Sequence, residues 1–484
     1  MKKLLLLIAL PFLGMSQTQI GLDINGLAAA DNTGSSVAVS ANGTIIAVGS
    51  PLSDVNGSNS GCVRVYQKIA GAWVQQGATI NGEAAGNESG YSVSLSADGS
   101  LVAIGAPENN FHTGHVRVYK NIAGVWTQQG NDIDGTAYGD ASGWSTSLSA
   151  DGTVVAIGSP YNTNNGNDSG IVRVYRLIGN TWSQIGANID GWFYDAFGRS
   201  ISLSADGTVV AVGSPYNSSN GGYSGRVRIY KNSGNVWTQE GADIRGTASN
   251  EIFGYSVAIS ADGNTVGVGA IGNSSLGVNS GYVKVFKNIA GTWTQQGAVI
   301  NGEAINDTSG RSVSISADGS VVVIGANMNG GNGVGSGHVR IYKNIAGVWT
   351  QRGIDINGQA AGDNSGNSVA LSGDGNTLII GSPYNGTNGA TSGQARVYDI
   401  TQLLSSNSYV WDNFSVYPNP TSELLNIQLQ QEMILQSANI YNALGQLVTQ
   451  VTTTTIDVSS LAKGTYFVEV ITNQGKATKS VIVE

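Results

Sequence analysis

A sevenfold internal repeat, and matching motifs at the two ends of the repeat region, predict an all-β fold. We expect a seven-bladed β-propeller over residues 17–400, closed by its N-terminal strand, followed by a small immunoglobulin-like β-sandwich. Each repeat contains a serine-rich strand, an Asp-Gly-type hairpin, an apolar strand and a strand similar to Val-Arg-Val-Tyr. The hairpin glycines recur every 53 to 56 residues, a period typical of propeller blades: Gly43, Gly99, Gly152, Gly207, Gly263, Gly319 and Gly375.

The two ends of the repeat region predict how the ring closes. Six repeats end in a strand with the pattern W-x-Q-x-G, whereas the seventh stops after its third strand, Gln394 to Tyr398. The missing pattern is found near the start of the chain, at Gln17, Gln19 and Gly21, followed by Asp23 to Gly26 in the register of the other repeats. The first strand is therefore expected to complete the last blade, which leaves no free sheet edge.

Residues 1–16 are expected to be an export signal. Lys2 and Lys3 precede the apolar run Leu4 to Leu13, which is about half of the ~20 residues needed to span a bilayer. We expect no transmembrane segment in the mature chain. With 23 basic against 32 acidic residues, the net charge is -9 at pH 7, which argues against nucleic acid and anionic membranes as partners.

The repeat ends near Leu403, and we expect a linker over residues 401–413 and a second domain over residues 414–484. This domain contains a Tyr-Pro-Asn-Pro opening at 417–420, Gly-Gln-Leu-Val at 445–448 and Lys-Gly-Thr-Tyr at 463–466. It resembles the C-terminal sorting domain of the type IX (Por) secretion system. The resemblance implies that the type IX machinery is a partner through residues 414–484, and that the protein is secreted or held at the cell surface. Its turn-separated strands alone predict an immunoglobulin-like sandwich.

Two charged columns recur in the repeats, and we interpret both as structural. A cation occupies the third strand of every blade: Arg64, Arg117, Arg173, Arg228, Lys284, Arg340 and Arg396. Before the first strand lies an acidic column with one neutral member: Asp31, Asn87, Asp140, Asp195, Glu251, Asp307 and Asp363. We expect the cations to bond loop carbonyls or carboxylates between blades, and the acidic residues to order their turns.

The repeat region resembles the FG-GAP family, the propeller of integrin α-chains. The resemblance rests on Phe197-Gly198, Phe253-Gly254, Gly105-Ala106-Pro107 and Gly-Ser-Pro triplets at 49–51, 158–160, 213–215 and 381–383. Members often bind calcium in a D-x-D-x-D-G loop, but the corresponding loops here are Ser-Ala-Asp-Gly or close variants. One carboxylate cannot supply the six or more oxygens that calcium prefers, so we expect no metal there. The run Asp54, Asn56 and Ser58 is a weaker calcium candidate.

A column that varies from blade to blade is the candidate ligand-binding site. It directly precedes the first serine of strand one, and we expect it at the mouth of the channel. Loops after strand two lie on the same face and add Tyr161, Tyr216 and Tyr384. Aromatic residues beside Arg and Asn suit a glycan or a protein ligand, although these side chains could also merely plug the channel. The candidate residues are Tyr91, Trp144, Arg199, Tyr255, Arg311 and Asn367, with Ser35 as the seventh member.

The sequence favours a binding or adhesion protein over an enzyme. Its three histidines are His112, His115 and His338, and no serine lies in a nucleophile-elbow context. No histidine or cysteine cluster has metal-ligand spacing along the chain, so we expect neither a cofactor nor a metal. The alternative is an extracellular polysaccharide-degrading enzyme that uses the same rim.

Overall fold

The structure is a computed structural model that describes residues 17–272, 274–401, 403, 414–430, 433–442, 446–472 and 475–484. The expected signal peptide lies outside these residues, as do most of the expected linker and Gly445 of the Gly-Gln-Leu-Val motif. Residues 17–400 form one compact unit, and the described residues from 401 onward belong to a second. Among the described residues, no helix has both the length and the apolar character needed to cross a membrane.

Residues 17–400 are built from short strands in regular order. The first strands are β1 (Thr18–Gln19) and β2 (Ile24–Asn25). Sheet 1 contains β3 (Ser36–Val39), β4 (Ile45–Ser50), β5 (Cys62–Ile69), β6 (Ala72–Gln75) and β7 (Ile80–Asn81). Sheet 2 contains β8 (Ser92–Leu95), β9 (Leu101–Ala106), β10 (His115–Ile122), β11 (Val125–Gln128) and β12 (Ile133–Asp134), with the helical turn α1 (Asn109–His112) before β10. Sheet 3 contains β13 (Ser145–Leu148), β14 (Val154–Ser159), β15 (Ile171–Ile178), β16 (Thr181–Gln184) and β17 (Ile189–Asp190).

The same order continues through the second half of this unit. Sheet 4 contains β18 (Ser200–Leu203), β19 (Val209–Ser214), β20 (Arg226–Ser233), β21 (Val236–Gln239) and β22 (Ile244–Arg245). Sheet 5 contains β23 (Phe253–Ile259), β24 (Thr265–Ala270), β25 (Tyr282–Ile289), β26 (Thr292–Gln295) and β27 (Ile300–Asn301). Sheet 6 contains β28 (Ser312–Ile315), β29 (Val321–Ala326), β30 (His338–Ile345) and β31 (Val348–Asn357). Sheet 7 contains β32 (Ser368–Leu371), β33 (Thr377–Ser382) and β34 (Gln394–Asp399), together with β1 and β2.

The fold of this unit is all-β and propeller-like, and the N-terminal segment takes part in sheet 7. Thr18 and Gln19 pair antiparallel with Asp399 and Tyr398, and Ile24 pairs with Ala395. The place of β1 beside β34 corresponds to that of β6 beside β5 in sheet 1. Residues separated by most of the chain thus share one sheet.

Serine hydroxyls connect each sheet to the next at the first strand. Each donates to the carbonyl of the glycine two residues before the equivalent serine of the next sheet, at 2.7–3.0 Å: Ser36 to Gly90, Ser92 to Gly143, Ser145 to Gly198, Ser200 to Gly254, Ser256 to Gly310, Ser312 to Gly366 and Ser368 to Gly34. The last of these bonds returns from sheet 7 to the segment before sheet 1. The connections therefore follow a closed order.

Close approach between sheets explains the glycine that ends each second strand. A Cβ atom on Gly105 would lie 2.0 Å from the carbonyl oxygen of Gly143, which no side chain can tolerate. All residues of each second strand are buried and most of them are apolar, as in β9. Neighbouring sheets share a core in which Ala211 and Val227 of sheet 4 pack with Val257 and Val266 of sheet 5. Burial of this kind supplies the main stabilisation of the unit.

The second unit contains seven strands in two antiparallel sheets. The strands are β35 (Phe414–Tyr417), β36 (Leu424–Leu429), β37 (Leu435–Tyr441), β38 (Leu447–Val451), β39 (Thr455–Asp457), β40 (Gly464–Thr472) and β41 (Gly475–Val483). One sheet has the order β35-β36-β39, and the other has the order β38-β37-β40-β41. Leu425 and Ile456 of the first sheet share a buried core with Ile440, Val468 and Val481 of the second.

Candidate functional site

The six predicted site residues line one cavity in the unit of residues 17–400. The cavity has a volume of about 460 Å³. Each predicted residue belongs to a different sheet and directly precedes the first serine of that sheet's first strand. Tyr255 is already part of its strand, β23, whereas the other five lie just before theirs. Ser35 contributes the equivalent position of sheet 1. The lining residues are Asn32, Ser35, Pro51, Leu52, Glu88, Tyr91, Trp144, Arg199, Tyr255, Arg311, Asn367, Pro383 and Tyr384.

Consecutive members of this column contact one another around the cavity. Arg311 donates to the side-chain oxygen of Asn367 at 2.9 Å, and the Asn367 amide donates to the carbonyl of Ser35 at 3.4 Å. Arg199 donates to the Tyr255 hydroxyl at 2.6 Å, and Arg311 donates to the same hydroxyl. These half-buried side chains therefore form a connected row from Arg199 to Ser35.

Two guanidinium groups give one side of the cavity a positive charge. Arg199 lies over the rings of both Trp144 and Tyr255, with its central carbon 4.9 Å and 4.6 Å from their centroids. Arg311 lies over Tyr255 at 5.0 Å. Burial alone would raise the pKa of Tyr255, but the charges of Arg199 and Arg311 outweigh it and lower that pKa below its ordinary value. Within the part of the chain that the structure describes, neither arginine forms an ion pair with a carboxylate.

An aromatic wall lies next to the two arginines. Tyr91 and Trp144 pack with their ring centroids 4.7 Å apart, and Tyr161 meets the Trp144 ring edge-on at 5.2 Å. Burial raises the pKa of Tyr91, so its phenol is neutral at physiological pH. Among the loop tyrosines singled out in the sequence, Tyr384 lines the cavity, whereas Tyr216 packs edge-on against Tyr223.

Sequence analysis missed Glu88, the one acidic residue among those that line the cavity. Burial, followed by the nearby charge of Glu108, raises the pKa of Glu88 to about 7, and His112 opposes this shift. The residue belongs to a column four positions before the first serine of strand one, all of whose members have positive φ: Asn32, Glu88, Ala141, Ala196, Ile252, Thr308 and Asn364. Glu88 is the only carboxylate in that column, and this signal could have singled it out.

The two charged columns have the structural roles that the sequence predicts. Arg173 and Arg340 donate to the backbone carbonyls of Asp134 and Asn301, at 2.8 Å and 2.7 Å, in the preceding sheets. Asp31 accepts hydrogen bonds from the backbone amides of Leu27 and Ala28, both at 2.9 Å. These residues hold loops in place and do not line the cavity.

The weaker calcium candidate is a loop anchor. The side-chain amide of Asn56 donates to the carbonyls of Gly82 and Glu83, at 2.9 Å and 2.8 Å, and one carboxylate oxygen of Asp54 accepts from the backbone amide of Asn59. Two other clusters have the composition of metal sites among the described residues: Glu83, His115 and Asp132, and Glu303, His338 and Asp355. None of these six residues lines the cavity.

Family models match both units of the chain. The FG-GAP repeat model matches residues 184–230 and 356–398, and the model of the secretion system C-terminal sorting domain matches residues 415–484. The chain therefore carries FG-GAP repeats followed by a sorting domain. This domain marks it as an exported protein, either secreted or located at the cell surface.

Comparisons over the whole chain give weaker similarity. No curated protein sequence matches the chain. A structure assigned as a 6-phosphogluconolactonase from Bacteroides uniformis is 13% identical and covers 67% of this chain and 85% of its own, with a TM-score of 0.47. The periplasmic gluconolactonase PpgL of Pseudomonas aeruginosa is 16% identical and covers 68% of this chain and 86% of its own, with a TM-score of 0.45.

Proposed function

We propose that the protein is an exported binding protein that recognises an acidic glycan in the cavity described above. In this proposal, residues 17–400 are a seven-bladed β-propeller closed by the N-terminal strand, and the second unit is an immunoglobulin-like sandwich. The closed order of serine-to-glycine hydrogen bonds supports the first assignment. The second is supported by the hydroxyl of Tyr466, which donates to the carbonyl of Ala462 at 2.9 Å, in the manner of a tyrosine corner.

The observation that carries the function is a pair of guanidinium groups, without carboxylate partners among the described residues, beside an aromatic wall. Half-buried arginines of this kind form strong, bidentate hydrogen bonds with carboxylate, sulfate or phosphate groups. The apolar surfaces of Tyr91 and Trp144 suit the C–H faces of a sugar ring. A saccharide that carries one acidic group would satisfy both sides of the cavity at once. An acidic peptide of a surface protein would satisfy only the cationic side.

We expect loss of either arginine charge to weaken binding to an acidic saccharide strongly. The full chain would be screened on an array that pairs acidic saccharides with their neutral analogues, and hits would be measured by calorimetry. Arg199→Gln and Arg311→Gln should each weaken binding about 10- to 150-fold, the equivalent of the ~1.5–3 kcal/mol of a hydrogen bond to a charged group. Trp144→Ala should cost about 10- to 100-fold through loss of the wall.

Matched controls separate the cavity from general charge effects. Arg245→Gln removes a partly exposed arginine that pairs with Asp243 and does not line the cavity, and Tyr138→Ala removes an exposed aromatic ring. Both variants should bind as the wild type does. Equal binding of neutral analogues, or unchanged affinity in the two arginine variants, would contradict an acidic ligand in this cavity.

Affinity for an acidic ligand should also fall as the pH rises through about 7. The carboxyl of Glu88 ionises in this range and then repels an anion, at a cost on the order of 1 kcal/mol or about 5-fold in affinity. Because its folded-state pKa is raised, ionisation also opposes folding. The stability it contributes is therefore present below its ordinary pKa and lost as the pH rises through about 7. Glu88→Gln should flatten both profiles, and unaltered profiles in this variant would exclude Glu88 as their source. Glu108 and His112 face the same carboxyl and also influence the pKa of Glu88. His112→Gln is therefore the control for the contribution of these neighbours to the pH dependence.

A second candidate, a polysaccharide-degrading enzyme, is favoured by the two perturbed groups in the cavity. A carboxyl with a pKa of about 7 suits a general acid, and some glycosidases use a tyrosine with a lowered pKa as the nucleophile. Most glycosidases need two carboxyl groups, and Glu88 is the only one among the described lining residues. Release of reducing ends from a bound saccharide, abolished by Tyr255→Phe, would favour the enzyme. Retention of the intact saccharide over long incubation would favour the binding protein.

A further inference from the structure

Two clusters of one histidine and two carboxylates occupy equivalent positions in the repeat. In each, the histidine begins the third strand of a sheet, one carboxylate lies 17 residues further along in the outer part of the same repeat, and the other follows the last strand of the preceding sheet. The clusters are Glu83, His115 and Asp132 between sheets 1 and 2, and Glu303, His338 and Asp355 between sheets 5 and 6.

The spacing of the polar atoms matches that of ligands around one small cation. Two ligands that are each about 2.1 Å from a tetrahedral Zn²⁺ ion lie about 3.4 Å from one another. His338 Nδ1 lies 3.5 Å from Asp355 Oδ2 and 3.7 Å from Glu303 Oε2. His115 Nδ1 lies 3.5 Å from Asp132 Oδ2. Within each cluster, all three ligand atoms lie within 4.8 Å of one another.

Neighbouring side chains orient the carboxylates in the same way in both clusters. Gln351 donates to Asp355 Oδ1 and Gln128 donates to Asp132 Oδ1, both at 2.7 Å. Arg340 and Arg117 lie 3.6 Å and 3.1 Å from the Oε1 atoms of Glu303 and Glu83. The partners thus hold one oxygen of each carboxylate, and for Asp355, Glu303 and Asp132 the other oxygen is the one near the imidazole. Such outer contacts are typical of metal sites, whose ligands they position.

The imidazole of His338 is buried without a partner. Its side chain is 1% exposed, and neither ring nitrogen has a hydrogen-bond partner among the described residues. A buried polar group without a partner needs an explanation, and a bound metal ion supplies one. The partly exposed carboxylates, at 44% for Glu303 and 26% for Asp355, give an ion access from solvent.

At the equivalent positions between the other five pairs of neighbouring sheets, the histidine is absent. The histidine and the pair of carboxylates therefore occur only together. The equivalent sets contain at most one carboxylate each: Leu27, Cys62 and Thr79; Thr136, Ile171 and Asn188; Trp192, Arg226 and Asp243; Thr247, Tyr282 and Val299; Gln359, Gln394 and Asp23. Where Arg226 replaces the histidine, its guanidinium lies 3.3 Å from Asp243 and also pairs with Asp195. In the two histidine clusters, a second carboxylate lies beside the imidazole ring instead. This arrangement suits an added cation.

We propose that each of these two clusters binds one divalent transition-metal ion of the Zn²⁺ type through one imidazole nitrogen and two carboxylate oxygens. Three ligands leave a fourth position for water or a ligand group, and the nitrogen ligand favours a transition metal over calcium. The ion joins neighbouring sheets, so it stabilises the folded state by mass action. These sites are separate from the cavity and independent of its proposed function.

The number of bound ions tests this proposal directly. The untagged full chain would be stripped with a chelator, dialysed against Zn²⁺ alone and then analysed for metal content and thermal midpoint. We expect two Zn²⁺ ions per wild-type chain and a higher midpoint with Zn²⁺. His338→Gln and His115→Gln should each bind one ion, and the double variant should bind none. His112→Gln, which removes the remaining histidine outside both clusters, should keep two ions.

Two outcomes would overturn the proposal. One is a wild-type chain that keeps less than one Zn²⁺ after dialysis, and the other is a double histidine variant that still keeps two. Circular dichroism would check folding of each variant. If the histidine variants fail to fold, Asp355→Asn and Asp132→Asn test the same stoichiometry at partly exposed positions. Gln351→Ala should weaken one site about 10- to 100-fold, as expected when a residue that positions a metal ligand is removed.

Discussion

Deletion of residues 414–484 is expected to leave the protein in the periplasm of its host. The sorting domain spans residues 415–484 and directs the protein to the type IX secretion machinery. It forms its own compact unit with its own core, so its removal takes no side chain from the core of residues 17–400. We expect the amount of protein outside the cell to fall by at least about 10-fold, measured by immunoblot of periplasmic, surface and medium fractions.

Full-length Trp144→Ala is the matched control for this deletion, because it alters the cavity and keeps the sorting domain. It should be exported in normal amounts. Truncated protein at the surface or in the medium at wild-type levels would contradict the assigned role of residues 414–484. Truncated protein that is degraded in the cytoplasm would instead indicate a fault in the first export step.

Asp195→Ala is expected to be the most destabilising single substitution in the acidic column. Asp195 is 1% exposed and pairs with Arg226, which is fully buried. Removing the carboxylate leaves a buried guanidinium without this partner, a change that typically costs about 3–5 kcal/mol. The free energy of unfolding would be measured by urea denaturation of the full chain, followed by tryptophan fluorescence.

Asp140→Ala is the control within the same column. Asp140 is equally buried and accepts hydrogen bonds from Thr136, Ala137 and Asn162, but no arginine pairs with it among the described residues. Its loss should cost only about 1–3 kcal/mol. Adding Arg226→Met to Asp195→Ala should recover part of the lost stability, because it also removes the buried charge that has kept only Asp243 as a carboxylate partner among the described residues. Equal losses for Asp195→Ala and Asp140→Ala would show that the buried charge does not dominate.

The candidate cavity could be predicted only in part. The rule that variable positions within a repeated scaffold mark a binding face selected Tyr91, Trp144, Arg199, Tyr255, Arg311 and Asn367, and all six line the cavity. Glu88 falls outside this rule, because it lies four positions before the first serine of strand one and the other members of its column are neutral. Its raised pKa depends on burial and on Glu108 and His112, which belong to a loop of irregular backbone around α1.

The two histidine clusters were missed for a different reason. His115 and His338 share a strand position with Cys62, Ile171 and Arg226, and that column has no common chemistry. Their carboxylates lie 17 and more residues away, on another strand and on the preceding sheet, so no linear spacing reveals them. The co-occurrence of Glu, His and Asp becomes visible only when the repeat positions of Glu83, His115 and Asp132 are compared together across all repeats.

The sequence alone determined the all-β class, the repeat, the pairing expected between the two chain ends and the exported character of the protein. These properties depend on local patterns: period-two alternation, turn residues and motif recurrence, which act over a few residues and survive without knowledge of the packing. The tertiary structure alone decided which charges lack partners. Arg199 and Arg311 meet at Tyr255, and His338 lies beside Glu303 and Asp355, because sheet-to-sheet packing brings together residues about 17 to 56 positions apart. Charge interactions depend on distance and burial, and neither quantity can be derived from the order of residues in the sequence.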